Sequence, residues 1–328
     1  MNPSQTSPEI VHHLPPHYLE RTLREDVRAG LTKAAKTLPP KWFYDQRGSY
    51  LFEKITQLPE YFPTRTERRI LEDHAGEIAT ASPTEMLIEL GSGSSRKTPL
   101  LLDALKAAGD LRSYVAVDVS DTALIEANTE LSKIYPDLDL RAVAADFESQ
   151  LHLLPKDGHR MVAFLGGTIG NLEPDAREQF FLQVRELLRQ GGGSLLLGTG
   201  LVQPPEILIP AYDDASGVTA DFNRNVLRVL NAELGADFDV EAFEHVAVWN
   251  EGEEWIEMRL RATRAMRVRL PGAELDVSFD QGEELRTEVS AKFRPERIAA
   301  ELEAANLRVA GQWTDPEGRY AMTLAEPA

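Results

Sequence analysis

Between about residues 84 and 200, short apolar runs alternate with stretches in which apolar positions recur every three or four residues. The runs are Met86–Leu90, Ser113–Val117, Leu140–Ala144, Met161–Leu165 and Ser194–Leu197. They are too short for helices and read as strands buried on both faces. Helical patterns separate them, from Lys97 to Ala108, from Ser120 or Asp121 to about Ile134, and from Pro174 to Arg189. Ser120 or Asp121 suits a cap and Pro174 a first turn, while Gly191–Gly193 stops the third helix. Strands and helices in this alternation build an α/β fold, a parallel doubly wound sheet covered on both faces.

The flanks read differently. Residues 18–82 carry helical patterns interrupted by Pro39-Pro40, Pro59 and Pro63. Residues 203–286 begin helical and turn strand-like at Trp255–Ala262 and Met266–Leu270. Pro295–Ala305 is helical again, and Leu307–Trp313 and Tyr320–Leu324 would add two strands to the main sheet. The expected organisation is a core of residues 64–201 and 287–328, a discontinuous α+β second domain of residues 18–63 and 202–286, and a flexible N-terminus of residues 1–17.

Composition narrows the classes. A chain of 328 residues can bury a sizeable core. Its formal charge of −18, without a Lys/Arg run longer than two, argues against nucleic acid or an anionic membrane as partner. With no cysteine, disulfides, thiolate metal sites and Cys nucleophiles are excluded. Residues 1–16 lack the basic and apolar regions of a signal peptide, and no apolar stretch approaches the roughly 20 residues of a membrane span. A soluble, cytoplasmic monomer is expected. The seven histidines, among them His12-His13, form no recognisable ligand set, so no metal is expected, and no G-x-S-x-G elbow suggests a hydrolase.

Candidate chemistry begins at the first strand-to-helix turn, Glu89-Leu-Gly91-Ser-Gly93-Ser-Ser-Arg96-Lys97-Thr98. Glycines there let a backbone turn tightly and approach a ligand. A dinucleotide loop and a phosphate-cradling loop both require a glycine where Arg96 stands. An S-adenosylmethionine loop needs only E-x-G-x-G, which Glu89 to Gly93 supplies. Asp118 ends the second strand at the distance expected of a carboxylate for ribose hydroxyls, although it would also suit a helix cap. Asp146-Phe147 follows the third strand, where a carboxylate and an aromatic face suit an adenine. Acidic residues at successive strand ends point to an adenosine-type ligand.

Longer motifs are more specific. Leu38-Pro-Pro-Lys-Trp-Phe-Tyr-Asp45, Leu58-Pro-Glu-Tyr-Phe-Pro-Thr-Arg-Thr-Glu67 and Phe164-Leu-Gly-Gly-Thr-Ile-Gly-Asn171 resemble segments of the histidine Nα-methyltransferases of ergothioneine biosynthesis. So do Ala211-Tyr-Asp-Asp-Ala-Ser-Gly-Val-Thr-Ala-Asp-Phe-Asn-Arg-Asn225 and Thr287-Glu-Val-Ser-Ala-Lys-Phe-Arg-Pro295. The resemblance runs from about residue 18 to the end. It implies a class I methyltransferase core with a Rossmann-like sheet, a substrate-binding second domain, and trimethylation of the histidine α-amine to hercynine through mono- and dimethyl intermediates.

On matching positions, the resemblance gives Gly91, Lys97, Asp118, Asp146 and Phe147 to S-adenosylmethionine, and Asn171 and Tyr212 to the histidine carboxylate. Tyr61, Glu288 and Ser290 would engage the imidazole; Tyr44, Phe52, Gly166 and Met258 would line the amine or ring pocket. Tyr44 is a candidate proton relay. Glu288 and Ser290, two apart on a strand, face one side and suit a shared hold on an imidazole nitrogen. Taken singly, these residues have plainer readings. Tyr61 could be a packed loop aromatic, Asn171 a helix cap, Glu288 a solvated carboxylate and Met258 core. The sequence departs from the family pattern at Gly167, where serine is expected, and at Gly200, where aspartate is common. A tryptophan or indole N-methyltransferase, or a silent binding homologue, is the alternative function.

Overall fold

The computed structural model describes residues 10–93 and 95–328. From the N-terminus the elements are β1 (Ile10–His12), α1 (Tyr18–Leu31), β2 (Lys36–Thr37), α2 (Gln46–Ile55), α3 (Pro63–Ala81), β3 (Met86–Leu90) and α4 (Thr98–Ala108). Next come β4 (Ser113–Asp118), α5 (Asp121–Ile134), β5 (Asp139–Ala144), β6 (Arg160–Phe164), α6 (Pro174–Arg189), β7 (Gly193–Gly200), α7 (Pro205–Tyr212) and α8 (Val218–Leu234). The chain ends with β8 (Phe243–Asn250), β9 (Trp255–Ala262), β10 (Met266–Leu270), β11 (Leu275–Phe279), β12 (Glu284–Ala291), α9 (Pro295–Ala304), β13 (Leu307–Thr314) and β14 (Tyr320–Pro327). These form two compact units. One joins the described residues up to Pro15 to Arg65–Leu201 and Phe293–Ala328; the other joins Pro16–Thr64 to Val202–Lys292.

The first unit is built on an eight-stranded sheet in the order β1-β5-β4-β3-β6-β7-β14-β13. The strands from β1 to β7 pair in parallel, and β14 inserts antiparallel between β7 and β13. All five residues of β3 and of β6 are buried, as expected of central parallel strands that are apolar except for Glu89 and Arg160. The strand order reverses beside β3, so the loops after β3 and β6 open at the carboxyl ends of adjacent strands. In such sheets that switch point is where ligands bind. Ser120 caps α5, accepting the Ala123 N–H at 3.3 Å, and Pro174 stands in the first turn of α6.

At the N-terminus the structure differs from the sequence expectation. Ile10–His12 pair in parallel with Ala142–Ala144 and extend the sheet beyond β5, so this part of residues 1–17 is an ordered strand. The exposed edge of β5 presents backbone groups that a β-prone segment can satisfy. Residues 1–9 of that segment lie outside the described residues.

The second unit holds a four-stranded sheet, β2-β12-β9-β8, and a separate β10–β11 hairpin. Its core gathers Phe43, Phe222, Leu227, Phe243, Met258, Leu260 and Phe279. Residues 287–292, expected in the core domain, belong to this unit instead. β12 pairs antiparallel with β9 from Glu284↔Arg261 to Ala291↔Trp255, and its other edge pairs with β2. The register shifts between Arg286 and Glu288, leaving Thr287 as the extra residue of a bulge. Bulges re-aim the side chains beside them. Among the described residues, no helix is long and apolar enough to cross a membrane.

Candidate active site

In the first unit the sequence-selected residues stand at or just after the ends of β3, β4, β5 and β6. The backbone turns at Gly91 and Gly93 with φ of 62° and 48°, conformations open to glycine and costly for most side chains. The Gly91 N–H donates to Val117 O at 2.8 Å, and the Gly93 N–H donates to Asp118 Oδ2 at 3.2 Å, so β4 holds the loop's shape. Asp118 Oδ1 accepts the Ser120 N–H at 3.0 Å. Ser120 takes the capping role, and Asp118 is left to the loop. Burial raises the Asp118 carboxyl above the usual carboxylate range, against the pull of the Ser120 and Gly93 amides.

Glu89, inside the buried strand, braces this arrangement. Its Oε2 accepts hydrogen bonds from Thr98 Oγ1 and from the Tyr114 hydroxyl, both at 2.7 Å, tying the start of α4 to β4. Burial pushes its carboxyl upward, and those two donors oppose the shift. After β5, Asp146 is buried, and its Oδ1 accepts the Glu148 N–H at 2.8 Å. The Phe147 ring stands 5.0 Å from that of Phe164 and 6.3 Å from that of Phe180, so its orientation is set by packing.

Sequence reasoning missed the centre of this unit, Glu67 on α3. Its side chain is fully buried and ion-paired with Lys97. Glu67 Oε1 also accepts the Gly166 N–H and the Tyr320 hydroxyl, each at 2.7 Å. One carboxylate therefore joins the end of the glycine loop, the loop after β6, and β14. A faint signal was present: Glu67 shares a helix face with buried Ile70 and Leu71, three and four residues on.

Gly198 of β7 makes room for this junction. A Cβ there would stand 2.3 Å from Glu67 Oε1 and 2.6 Å from the Tyr320 hydroxyl oxygen. Gly198→Ala is expected to cost about 1–3 kcal/mol of stability, as overpacking does, measured by thermal unfolding. An unchanged midpoint would show that the carboxylate swings aside freely.

The loop after β6 carries Gly166 and Gly167 at φ of 79° and 71°, followed by a 3₁₀ turn, Thr168–Asn171. A glycine suits this left-handed backbone at 167 better than the expected serine would. The N-cap of α6 is Glu173, so Asn171 is not a helix cap. Gly200, the other departure, accepts the Phe293 N–H at 2.9 Å through its carbonyl at the end of β7.

The second unit collects the other sequence-selected residues. Tyr44, Phe52, Tyr61 and Tyr212 form a chain of rings, with centroids 5.5 Å apart for Tyr44–Phe52 and 6.2 Å for both Phe52–Tyr61 and Tyr61–Tyr212. Tyr61 and Met258 are both members of this unit's core. Met258 lies directly opposite Glu288 in the β9–β12 register, and Glu288 is half-buried. The Tyr44 phenol is held above the ordinary tyrosine range by burial, then by the charge of Glu288 and by Tyr212. A phenol shifted in that direction stays neutral at physiological pH.

Tyr212, at the end of α7, is fixed from two sides. Its hydroxyl is 2.8 Å from Ser290 Oγ and accepts from Lys292 Nζ at 2.7 Å. Its carbonyl accepts from His245 Nε2 at 2.8 Å; His245 Nδ1 accepts from Asn223 Nδ2 at 2.8 Å, and Asn223 Oδ1 accepts from Thr287 Oγ1 at 2.6 Å. Burial lowers the His245 pKa, which keeps the imidazole neutral and able to donate and accept in this chain. Asn223, His245 and Lys292 were not singled out from the sequence. Among the described residues no group of three or more His, Cys, Asp or Glu is placed to hold a metal.

The sheet order, with β14 reversed between β7 and β13, and a glycine loop beside Asp118 define the class: a class I methyltransferase. Within that class the chain belongs to a family described as "Histidine-specific methyltransferase, SAM-dependent", whose model it matches over residues 23–327. It is 52% identical to "Histidine N-alpha-methyltransferase" of Mycolicibacterium smegmatis, covering 96% of this chain and 98% of that protein. It is 51% identical, with the same coverage, to the protein of that name from Mycobacterium tuberculosis. A more distant relative, "L-tryptophan methyltransferase" of Psilocybe serbica, is 24% identical over 92% of this chain and 91% of its own.

Proposed function

We infer that this chain transfers three methyl groups from S-adenosylmethionine to the α-amino nitrogen of L-histidine, giving hercynine, the first step of ergothioneine biosynthesis. The 52% identity to a histidine N-alpha-methyltransferase over nearly the whole of both chains carries this reading. At 24%, the tryptophan-directed relative gives much weaker support to the indole alternative.

The first unit's loop fits the methyl donor. Among the described residues, a Cβ at Gly91 would meet nothing within 4 Å, and the buried Ser92 Oγ has no hydrogen-bond partner. The loop thus presents both space and an unsatisfied hydroxyl. Asp118 would take the ribose hydroxyls, Asp146 and Phe147 the adenine, and Gly91 and Lys97 further contacts. When bound, S-adenosylmethionine supplies a methyl group on a cationic sulfur, open to in-line displacement.

The chain's own task is to orient and deprotonate an amine. Orientation alone can contribute several kcal/mol to such a reaction. Tyr212 would hold the carboxylate, while Glu288, Ser290 and Tyr61 would hold the imidazole. Asn171 and Gly166 are proposed contacts on the sequence resemblance alone. An amine desolvated near a cation loses its proton more readily, so no strong base is needed. Tyr44, kept neutral, would pass that proton as a hydroxyl rather than take it as a phenolate. Phe52 and Met258 would line the pocket with apolar surface.

Incubation with S-adenosylmethionine and all twenty amino acids, read by mass, tests the function. A gain of three methyl groups on histidine alone is expected. Methylation of tryptophan instead, or of nothing, would overturn the reading.

A further inference from the structure

Lys292 follows directly after β12 and is 4% exposed. Its ammonium donates to the Tyr212 hydroxyl oxygen at 2.7 Å and to Ser290 Oγ at 2.6 Å. Among the described residues, no carboxylate lies within ion-pair distance of it. A charge this deeply buried is ordinarily paired, because removing an ion from water is costly unless an opposite charge compensates. Two neutral hydroxyls do not supply that charge.

We propose that Lys292 is a further substrate-specificity residue, the buried cation that receives the carboxylate of the amino-acid substrate beside and through Tyr212. The proposal rests on the reading of Tyr212 as the carboxylate contact of histidine.

Donor and acceptor accounting supports it. An ammonium has three N–H donors, of which the two hydroxyls use two. Tyr212 and Ser290, with oxygens 2.8 Å apart, share one hydroxyl hydrogen between them. Each hydroxyl oxygen already accepts from Lys292, so the second hydroxyl hydrogen is directed outward as a donor. The cluster therefore offers a polarised O–H and a remaining N–H, a donor set suited to an anion and strengthened by charge.

The placement of Glu288 completes the pattern. Alternation puts Glu288, Ser290 and Lys292 on one face of the strand, and the Lys292–Ser290 contact agrees with this. A carboxylate at one end and an ammonium at the other complement a ligand that has an N–H-bearing ring at one end and a carboxylate at the other. A methyltransferase for amines without a carboxylate would have no use for such a cation, which would repel a positively charged ligand.

The test uses the full chain saturated with S-adenosylhomocysteine and three competing ligands. L-Histidine carries both groups, imidazolepropionate has a carboxylate but no amine, and histamine has an amine but no carboxylate. Lys292→Met is expected to weaken histidine and imidazolepropionate roughly 10- to 100-fold, the range of a hydrogen bond to a charged group, and to leave histamine binding no weaker than in the wild type. Lys292→Gln keeps donors for both hydroxyls without the charge. It should show the same selectivity change, and it carries the test if the apolar variant does not fold. Equal losses for all three ligands, or unchanged histidine affinity, would overturn the assignment. A wild-type chain that neither binds nor methylates histidine would instead overturn the functional reading on which the proposal rests.

Discussion

Glu288→Ala is expected to raise the KM for histidine about 100-fold or more, while the affinity for S-adenosylmethionine stays within about twofold, the scale of losing a charge-assisted hydrogen bond from a desolvated site. Glu288 stands on β12 in the second unit, half-buried, whereas the glycine loop and Asp118 belong to the first. Its charge already reaches Tyr44, where it helps hold the phenol protonated. With the carboxylate gone, an imidazole N–H entering the site would lose its acceptor, and burying an unpaired donor costs more than the bond itself contributes. Glu288→Gln should fall between the two, because an amide oxygen still accepts but carries no charge. Calorimetric titration with histidine and separately with the methyl donor distinguishes the outcomes. Comparable losses for both ligands would sink the imidazole assignment and reduce Glu288 to a structural role.

The second large effect is on stability. Glu67→Leu should cost about 3–5 kcal/mol, the range for breaking one partner of a buried ion pair. The lower part is the better expectation, since the Lys97 side chain is 20% exposed and can turn toward water. The loss is more than one ion pair, because the Gly166 N–H and the Tyr320 hydroxyl each lose an acceptor in the same event. In thermal unfolding this corresponds to a fall on the order of 10 °C. Glu67→Gln, which still accepts, should lose less. A fall of only a degree or two for Glu67→Leu would show that the three neighbours find other partners and that Glu67 is not the junction the geometry indicates.

Much of the first unit was readable from the sequence because its signals are local. The apolar run at 86–90, the glycines that follow it, and the cap at Ser120 each depend on residues a few positions apart, and each stands where the pattern places it. Asp118 was legible for the same reason, its spacing from the loop being set by one intervening helix. Its bond to the Gly93 N–H was not, since a carboxylate at a strand end can cap a helix or hold a loop equally well.

Glu288 and Ser290 were readable as a pair, but their unit was not. Membership of β12 is decided by hydrogen bonds to β9 and β2, and a strand's own residues do not name its partners. The same holds for Ile10–His12, whose order comes from the free edge of β5. Glu67 lies 30 residues from Lys97 and 253 from Tyr320, and Lys292 lies 80 from Tyr212. Nothing in local periodicity brings such residues together.

The sequence by itself determined the doubly wound sheet, the glycine turn after β3 and, through its long motifs, the family, because periodicity, turn chemistry and motif identity are properties of neighbouring residues. Only the tertiary structure decided which carboxylate braces the loops and which buried cation stands behind Tyr212. A charged side chain acquires its role from what burial takes away and which distant groups remain within reach. That is settled by the folding of the whole chain.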